Sequence, residues 1–205
     1  MYIPLRLFGL ISQKQIIAKV NINSDKFNFT STEFFKSSID LNFKKLFKEL
    51  NKNLFCELFA LHNGDINHLT YKNDTWYNVK IKPNKDLHDE ILIFDISKIT
   101  KKFSDKVCDI EHSELIVDHA YDSLVYGNMR QLGRDMISYW KIARTEYPYV
   151  TNLNIDKIYS DAIIMGGYGC SIDENFLTVV CPEERRPYII DKLKESNIEN
   201  IEWSF

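Results

Sequence analysis

The chain has 205 residues, 44% apolar and 27% charged, the composition of a soluble globular protein with room for one sizeable core or two small packed ones. Twenty-six basic and 29 acidic residues give a net charge of −3, which argues against broad nucleic-acid binding, since that needs clustered Lys and Arg to neutralise phosphate. No run reaches membrane-span length, the opening MYIPLRLFGLISQK lacks a signal-peptide core, and Cys56, Cys108, Cys170 and Cys181 form no CxxC pair; a cytoplasmic protein with free thiols is expected, without a zinc site or disulfide framework.

Residues 3–10 and 16–22 read as short strands, the second because Val20 and Ile22 alternate with Asn21 and Asn23. Thr30, Ser31 and Thr32 offer an N-cap ahead of Glu33. Phe35, Ile39, Phe43, Leu46 and Leu50 then recur at helical spacing and predict a core-packing helix, with Lys44, Lys45, Lys48 and Lys52 on its wet side. Residues 54–62 read as a second short helix, stopped by Asn63-Gly64, where positive φ is easily adopted. His68–Tyr71 and Trp76–Ile81 suggest a hairpin, and the apolar run Ile91–Ile96 a central strand.

The second half reads as mostly helical. Ile116, Ala120 and Leu124 lie one turn apart, and Gly127-Asn128 interrupts the pattern. Met129, Leu132, Met136, Trp140 and Ala143 mark the buried face of the next helix, which ends before Pro148. A short helix over 155–162, a glycine loop at Gly166, Gly167 and Gly169, a strand over 176–181, a helix over 183–196 and a last strand over 198–205 complete the order. That order predicts an α+β fold with helices on one face of a mainly antiparallel sheet, weakly divided near residues 90 to 97. Glu111, His112, Asp118, His119 and Asp122 form a polar cluster, but the two histidines do not repeat a known ligand spacing, and no metal site is expected.

Read in order, several segments share the landmarks of one family. Asn63-Gly64-Asp65-Ile66-Asn67, with the hairpin after it and Glu90-Ile91-Leu92-Ile93-Phe94, resembles the Gly-Gly turn, hairpin and apolar strand of the GHMP kinases, most of all their heptose-kinase branch. Gly127-Asn128-Met129-Arg130-Gln131-Leu132-Gly133 is similar to that family's Gly-Asp helix start. Trp140, Arg144, Val150-Thr151-Asn152 and Ile155-Asp156 follow its spacing, as do the glycine loop and Pro182-Glu183-Glu184-Arg185-Arg186. The resemblance covers roughly the chain from Phe59 onward and, less closely, the strand and helix over 16–47.

It implies a GHMP-kinase-like two-layer fold, its amino-terminal region shortened (residues 1–90) and its carboxy-terminal region ferredoxin-like (91–205). Thr30, Ser31, Thr32, Gly167, Gly169 and Ser171 would fall at nucleotide-binding positions, and Arg144, Thr151 and Asn152 at the sugar-phosphate pocket. The phosphate-handling positions depart from the family pattern. Asn28-Phe29-Thr30-Ser31-Thr32-Glu33 has no glycine, and Phe29 would crowd a close backbone approach. Cys56 stands near the expected catalytic Asp, and a mostly neutral thiol does not replace a carboxylate; neighbouring Glu57 is the candidate substitute, although it is turned about 100° around the helix axis. Asp173 and Glu174 would add negative charge beside a phosphate. Two functions remain open: a sugar- or sugar-phosphate-binding or scaffolding module with little ATP turnover, alone, as a homo-oligomer or beside a kinase paralogue; or an active sugar kinase using ATP and Mg²⁺.

Overall fold

The computed structural model describes residues 2–8, 14–22, 60, 64–72, 75–82, 85–99, 113–173 and 175–204. The helix expected over 33–50, and all of that over 54–62 except the helical residue Ala60, lie outside them. So do Thr30, Ser31, Thr32, Cys56, Glu57, Glu111, His112 and Glu174.

Two sheets form. The first contains β1 (Tyr2–Phe8), β2 (Lys14–Ile22), β3 (Ile66–Lys72) and β4 (Thr75–Ile81) in that spatial order, all antiparallel. Its expected hairpin is present and closes on the pair Lys72↔Thr75. Gly64 acts as a stop signal: it has φ 67° and its N–H donates to Ala60 O at 3.0 Å, and Asp65 follows at φ 54°.

A six-residue helix, α1 (Lys85–Glu90), runs straight into β5 (Ile91–Asp95). Ile91, Leu92, Ile93 and Phe94 are all buried, so both faces of β5 are covered. Each such side chain contributes about 1.5–3 kcal/mol by leaving water, which places this run inside the second sheet. That sheet adds β6 (Gly169–Asp173), β7 (Phe176–Val180) and β8 (Glu199–Ile201) in the order β6-β7-β5-β8, antiparallel throughout. Helices α2 (Ser113–Val125), α3 (Met129–Glu146) and α4 (Leu153–Ile164) link β5 to β6, and α5 (Arg186–Glu195) links β7 to β8. Strand, helical crossover, hairpin, helix and strand in this spatial order make the ferredoxin-like arrangement that the resemblance implies.

The predicted buried face of α3 is buried as expected at Met129, Leu132, Met136, Trp140 and Ala143. Three expectations are corrected. The expected glycine loop stops short of Gly169, because residues 169–173 form a strand that pairs with β7. The helix expected from 183 starts at Arg186 after a single 3₁₀ turn, Glu183–Arg185. The last strand is two: β8 pairs with β5, and β9 (Trp203–Ser204) pairs with β2 in the other sheet. Buried side chains from both sheets belong to one continuous core, from Leu7 and Ile16 to Ile201 and Trp203.

Candidate functional site

Met165 is the C-cap of α4, and Gly166 takes φ 107° to turn the chain back. The backbone donors of this turn are all engaged. Gly166 N–H reaches Ile163 O at 3.0 Å, Gly167 N–H reaches Ala162 O at 3.0 Å, and Tyr168 N–H reaches Val180 O at 2.7 Å. The missing side chains serve packing. A Cβ on Gly167 would lie 2.8 Å from Ala162 O, and one on Gly169 would collide with the Gly133 carbonyl group. Gly133 stands in the middle of α3, and a Cβ there would lie 2.7 Å from Gly169 N. Helix and strand thus meet backbone to backbone. Ser171 donates its hydroxyl to Leu7 O at 3.1 Å, across to the first sheet. Asp173 ends β6.

Arg144, Thr151 and Asn152 do come together, at the joint between α3 and α4. Asn152 is the N-cap of α4 and accepts from Asn154 N and Ile155 N, each at 3.0 Å. Thr151 donates to Asp156 Oδ1 at 2.8 Å, and Arg144 Nη1 lies 3.7 Å from the same oxygen. Arg144 and Asp156 keep 47% and 36% of their side-chain surface exposed, so the pair is loosely held and screened by water. Asp156 organises the cluster. Its sequence signal was its place four residues after the Asn152 cap, in the first turn of α4.

Beneath the cluster, Trp140 and Tyr159 stack with ring centroids 5.5 Å apart. Both are buried, and neither Trp140 Nε1 nor Tyr159 OH has a hydrogen-bond partner among the described residues. Burial pushes the Tyr159 phenol well above its ordinary range; Cys170 adds to the rise and Arg144 opposes it. Cys170 itself, enclosed with its Sγ 3.8 Å from Tyr159 O, is raised by burial as well. These are inert groups at neutral pH.

The described members of the polar cluster, Asp118, His119 and Asp122, lie on α2. Asp118 turns to His68 Nε2 at 3.6 Å, and Tyr121 stacks on the His68 ring at 4.8 Å. His119 and Asp122 are exposed, and no metal-like group of ligands occurs among the described residues. A cleft of about 470 Å³ opens elsewhere, between Leu87, Gly127, Met129, Tyr168 and Pro182, with Asp89, Glu90, Glu183 and Glu184 at its walls. Four carboxylates make it unsuited to a phosphate.

No protein-family model matches the sequence, and no curated protein matches it. Solved structures do. A D-glycero-D-manno-heptose 1-phosphate kinase from Bacteriodes thetaiotaomicron aligns with TM-score 0.58 at 13% identity, over 85% of this chain and 56% of its own. The mevalonate kinase of L. major, in complex with R-mevalonate, aligns with TM-score 0.57 at 13% identity, over 80% and 59%. A further mevalonate kinase aligns with TM-score 0.61 at 10% identity, over 99% and 96%. The chain has the GHMP-kinase fold. It spans less than two thirds of the length of the first two structures.

Within the GHMP-kinase fold, the landmarks in the sequence fall at structural joints. Gly127 takes φ 69°, and Asn128 caps α3 by accepting from Gln131 N at 3.1 Å. Two joints were not anticipated. Gly133 ends the segment that resembles the family's helix start, but its packing against Gly169 has no sequence signal beyond a glycine inside a helical pattern. Arg186 donates through Nη1 to His88 O, Asp89 O and Ile91 O at 3.0, 2.8 and 2.9 Å, fastening the end of α1 and the start of β5 to α5. Nothing in the local sequence separates Arg186 from Arg185.

Proposed function

We propose that the chain is a sugar- or sugar-phosphate-binding module on the GHMP-kinase fold, with little ATP turnover. One observation carries the reading: the N–H groups of Gly166, Gly167 and Tyr168 all donate inside the protein. A phosphate cradle needs such donors free and convergent. These engaged donors, with the Ser171 hydroxyl committed to Leu7 O, support a reading in which this turn serves packing and does not cradle phosphate. The cluster of Arg144, Thr151, Asn152 and Asp156 is different. It faces water and combines a planar guanidinium, a hydroxyl and a carboxylate. The guanidinium suits a phosphate held by two parallel hydrogen bonds, and the hydroxyl and carboxylate suit sugar hydroxyls.

Thermal-shift titration of the full chain tests this, with hexose and heptose phosphates, the free sugars, and Mg-ATP. Ligands that bind only the folded state raise Tm as their concentration passes Kd. A sugar phosphate is expected to raise Tm, and Mg-ATP is not. Arg144→Ala is expected to remove the response while leaving the ligand-free Tm within about 2 °C, as befits an exposed ion pair. ATP-dependent phosphorylation of a sugar that disappears in Ser31→Ala or Glu57→Ala would overturn the reading. So would the absence of any response to the sugar phosphates.

A further inference from the structure

We infer that β4 is the docking edge for a second copy of this chain, the two strands pairing antiparallel about a two-fold axis at Asn78. Strand β4 is the outermost of its sheet, and its pairing partner among the described residues is β3 alone. At the opposite edge, β1 has Leu7 O engaged by the Ser171 hydroxyl.

The hairpin fixes which groups of β4 point outward. Lys72 and Thr75 pair across only two intervening residues, so they must exchange both backbone hydrogen bonds. The alternation of an antiparallel ladder then turns the N–H and C=O of Tyr77, Val79 and Ile81 toward β3. Those of Trp76, Asn78 and Lys80 point away from the sheet. Three consecutive outward-facing residues form a template for another strand.

The side chains show where the cover of the sheet ends. Tyr77, Val79 and Ile81 share one face; Ile81 is 4% exposed, but Tyr77 is 54% and Val79 47% exposed. Directly across from Val79, His68 lies under the Tyr121 ring. The covering helix therefore reaches β3 and leaves the two apolar residues of β4 open.

A second copy fits this edge through its own symmetry. With the axis at Asn78, the exposed Tyr77 of each copy stands opposite the exposed Val79 of the other, and Asn78 faces its own counterpart. Lys80 stands opposite the Trp76 position, and no lysine opposes a lysine. An axis at Lys80 would oppose that residue to itself, and an axis at Trp76 would oppose Lys80 to Lys72. Aromatic–aliphatic pairs across strands are favourable, and like charges directly opposite are not. Lys80 also has its charge balanced within the chain, by Asp65 at 3.3 Å. The contact is isologous and closes as a dimer.

Sedimentation equilibrium of the full chain, from about 1 to 500 μM, is expected to show a monomer–dimer equilibrium. Asn78→Lys and Asn78→Asp should each lose the dimer, with Kd raised about tenfold or more. An equimolar mixture of the two should regain it as a heterodimer, because opposite charges then face each other at the axis. Asn78 Nδ2 also bonds Asn67 Oδ1 at 3.1 Å, so Lys80→Pro provides a second variant. It removes one outward N–H and no bond to β3, and should abolish the dimer with an unchanged far-UV CD spectrum. A monomer at every concentration, a dimer that survives in the variants, or a mixture that stays monomeric would overturn the inference.

Discussion

Asp135 is a carboxylate that the fold encloses, at 6% exposure on the inner side of α3. Gln131 Nε2 donates to its Oδ1 at 2.9 Å, and the Ser123 hydroxyl reaches Oδ2 at 3.4 Å. Burial raises its pKa above the ordinary value, while Gln131, His119 and Ser123 oppose the rise. The folded chain therefore binds this proton more tightly than the unfolded one. Ionising Asp135 costs stability in full above its folded pKa, and the cost vanishes below its unfolded pKa. Asp135→Asn retains the acceptor for Gln131 and removes the charge. In calorimetry its Tm is expected to exceed that of the original chain at pH 7, with the gap closing as pH falls toward about 4; a lower Tm at pH 7 would refute the assignment. Gly133 presents the opposite situation, a site with no space at all. Gly133→Ala drives a methyl into the Tyr168–Gly169 backbone. A loss of about 3 kcal/mol is expected in urea unfolding, the magnitude of overpacking against a rigid neighbour.

At the scale of elements, Asn152 holds the first turn of α4 through two N–H groups. Asn152→Ala should cost about 1 kcal/mol and lower Tm by roughly 2–4 °C. If sugar-phosphate binding persists in this variant, Asn152 is a cap alone; if it is lost, the residue also contacts ligand. The elements themselves were largely legible in the sequence. Period-two alternation marks the strand over 16–22, period 3.6 marks α2 and α3, and an unbroken apolar run marks β5, because those patterns record which sides are buried. Gly169 reads as loop in the sequence because glycine signals both a turn and a close approach, and only the helix opposite, with Gly133, decides between them. The candidate site was legible in part. The family resemblance groups Arg144, Thr151 and Asn152, and the fold adds that Arg144 and Thr151 share Asp156 Oδ1.

The whole molecule is joined at a few long-range points that no local pattern announces. Arg186 is one, reaching back about a hundred residues to three carbonyl oxygens at the end of α1 and the start of β5. Its charge also moderates Cys181, whose thiol burial pushes up to about 11. Arg186→Met leaves those oxygens short of a charged donor. The urea midpoint is expected to fall by the equivalent of about 2 kcal/mol with an unchanged m value; a changed m value would point instead to altered compactness. The other joint is the passage from β8 to β9. A single residue, Glu202, separates a strand that completes the sheet of β5 from one that pairs with β2. His88 Nε2 secures the far side by bonding Trp203 O at 2.8 Å. A segment anchored in both sheets makes them mechanically continuous. Fraying of one sheet pulls on the other through one peptide unit, so slow amide exchange in β2 and β5 should report a single opening event, shared by both layers, instead of two independent ones.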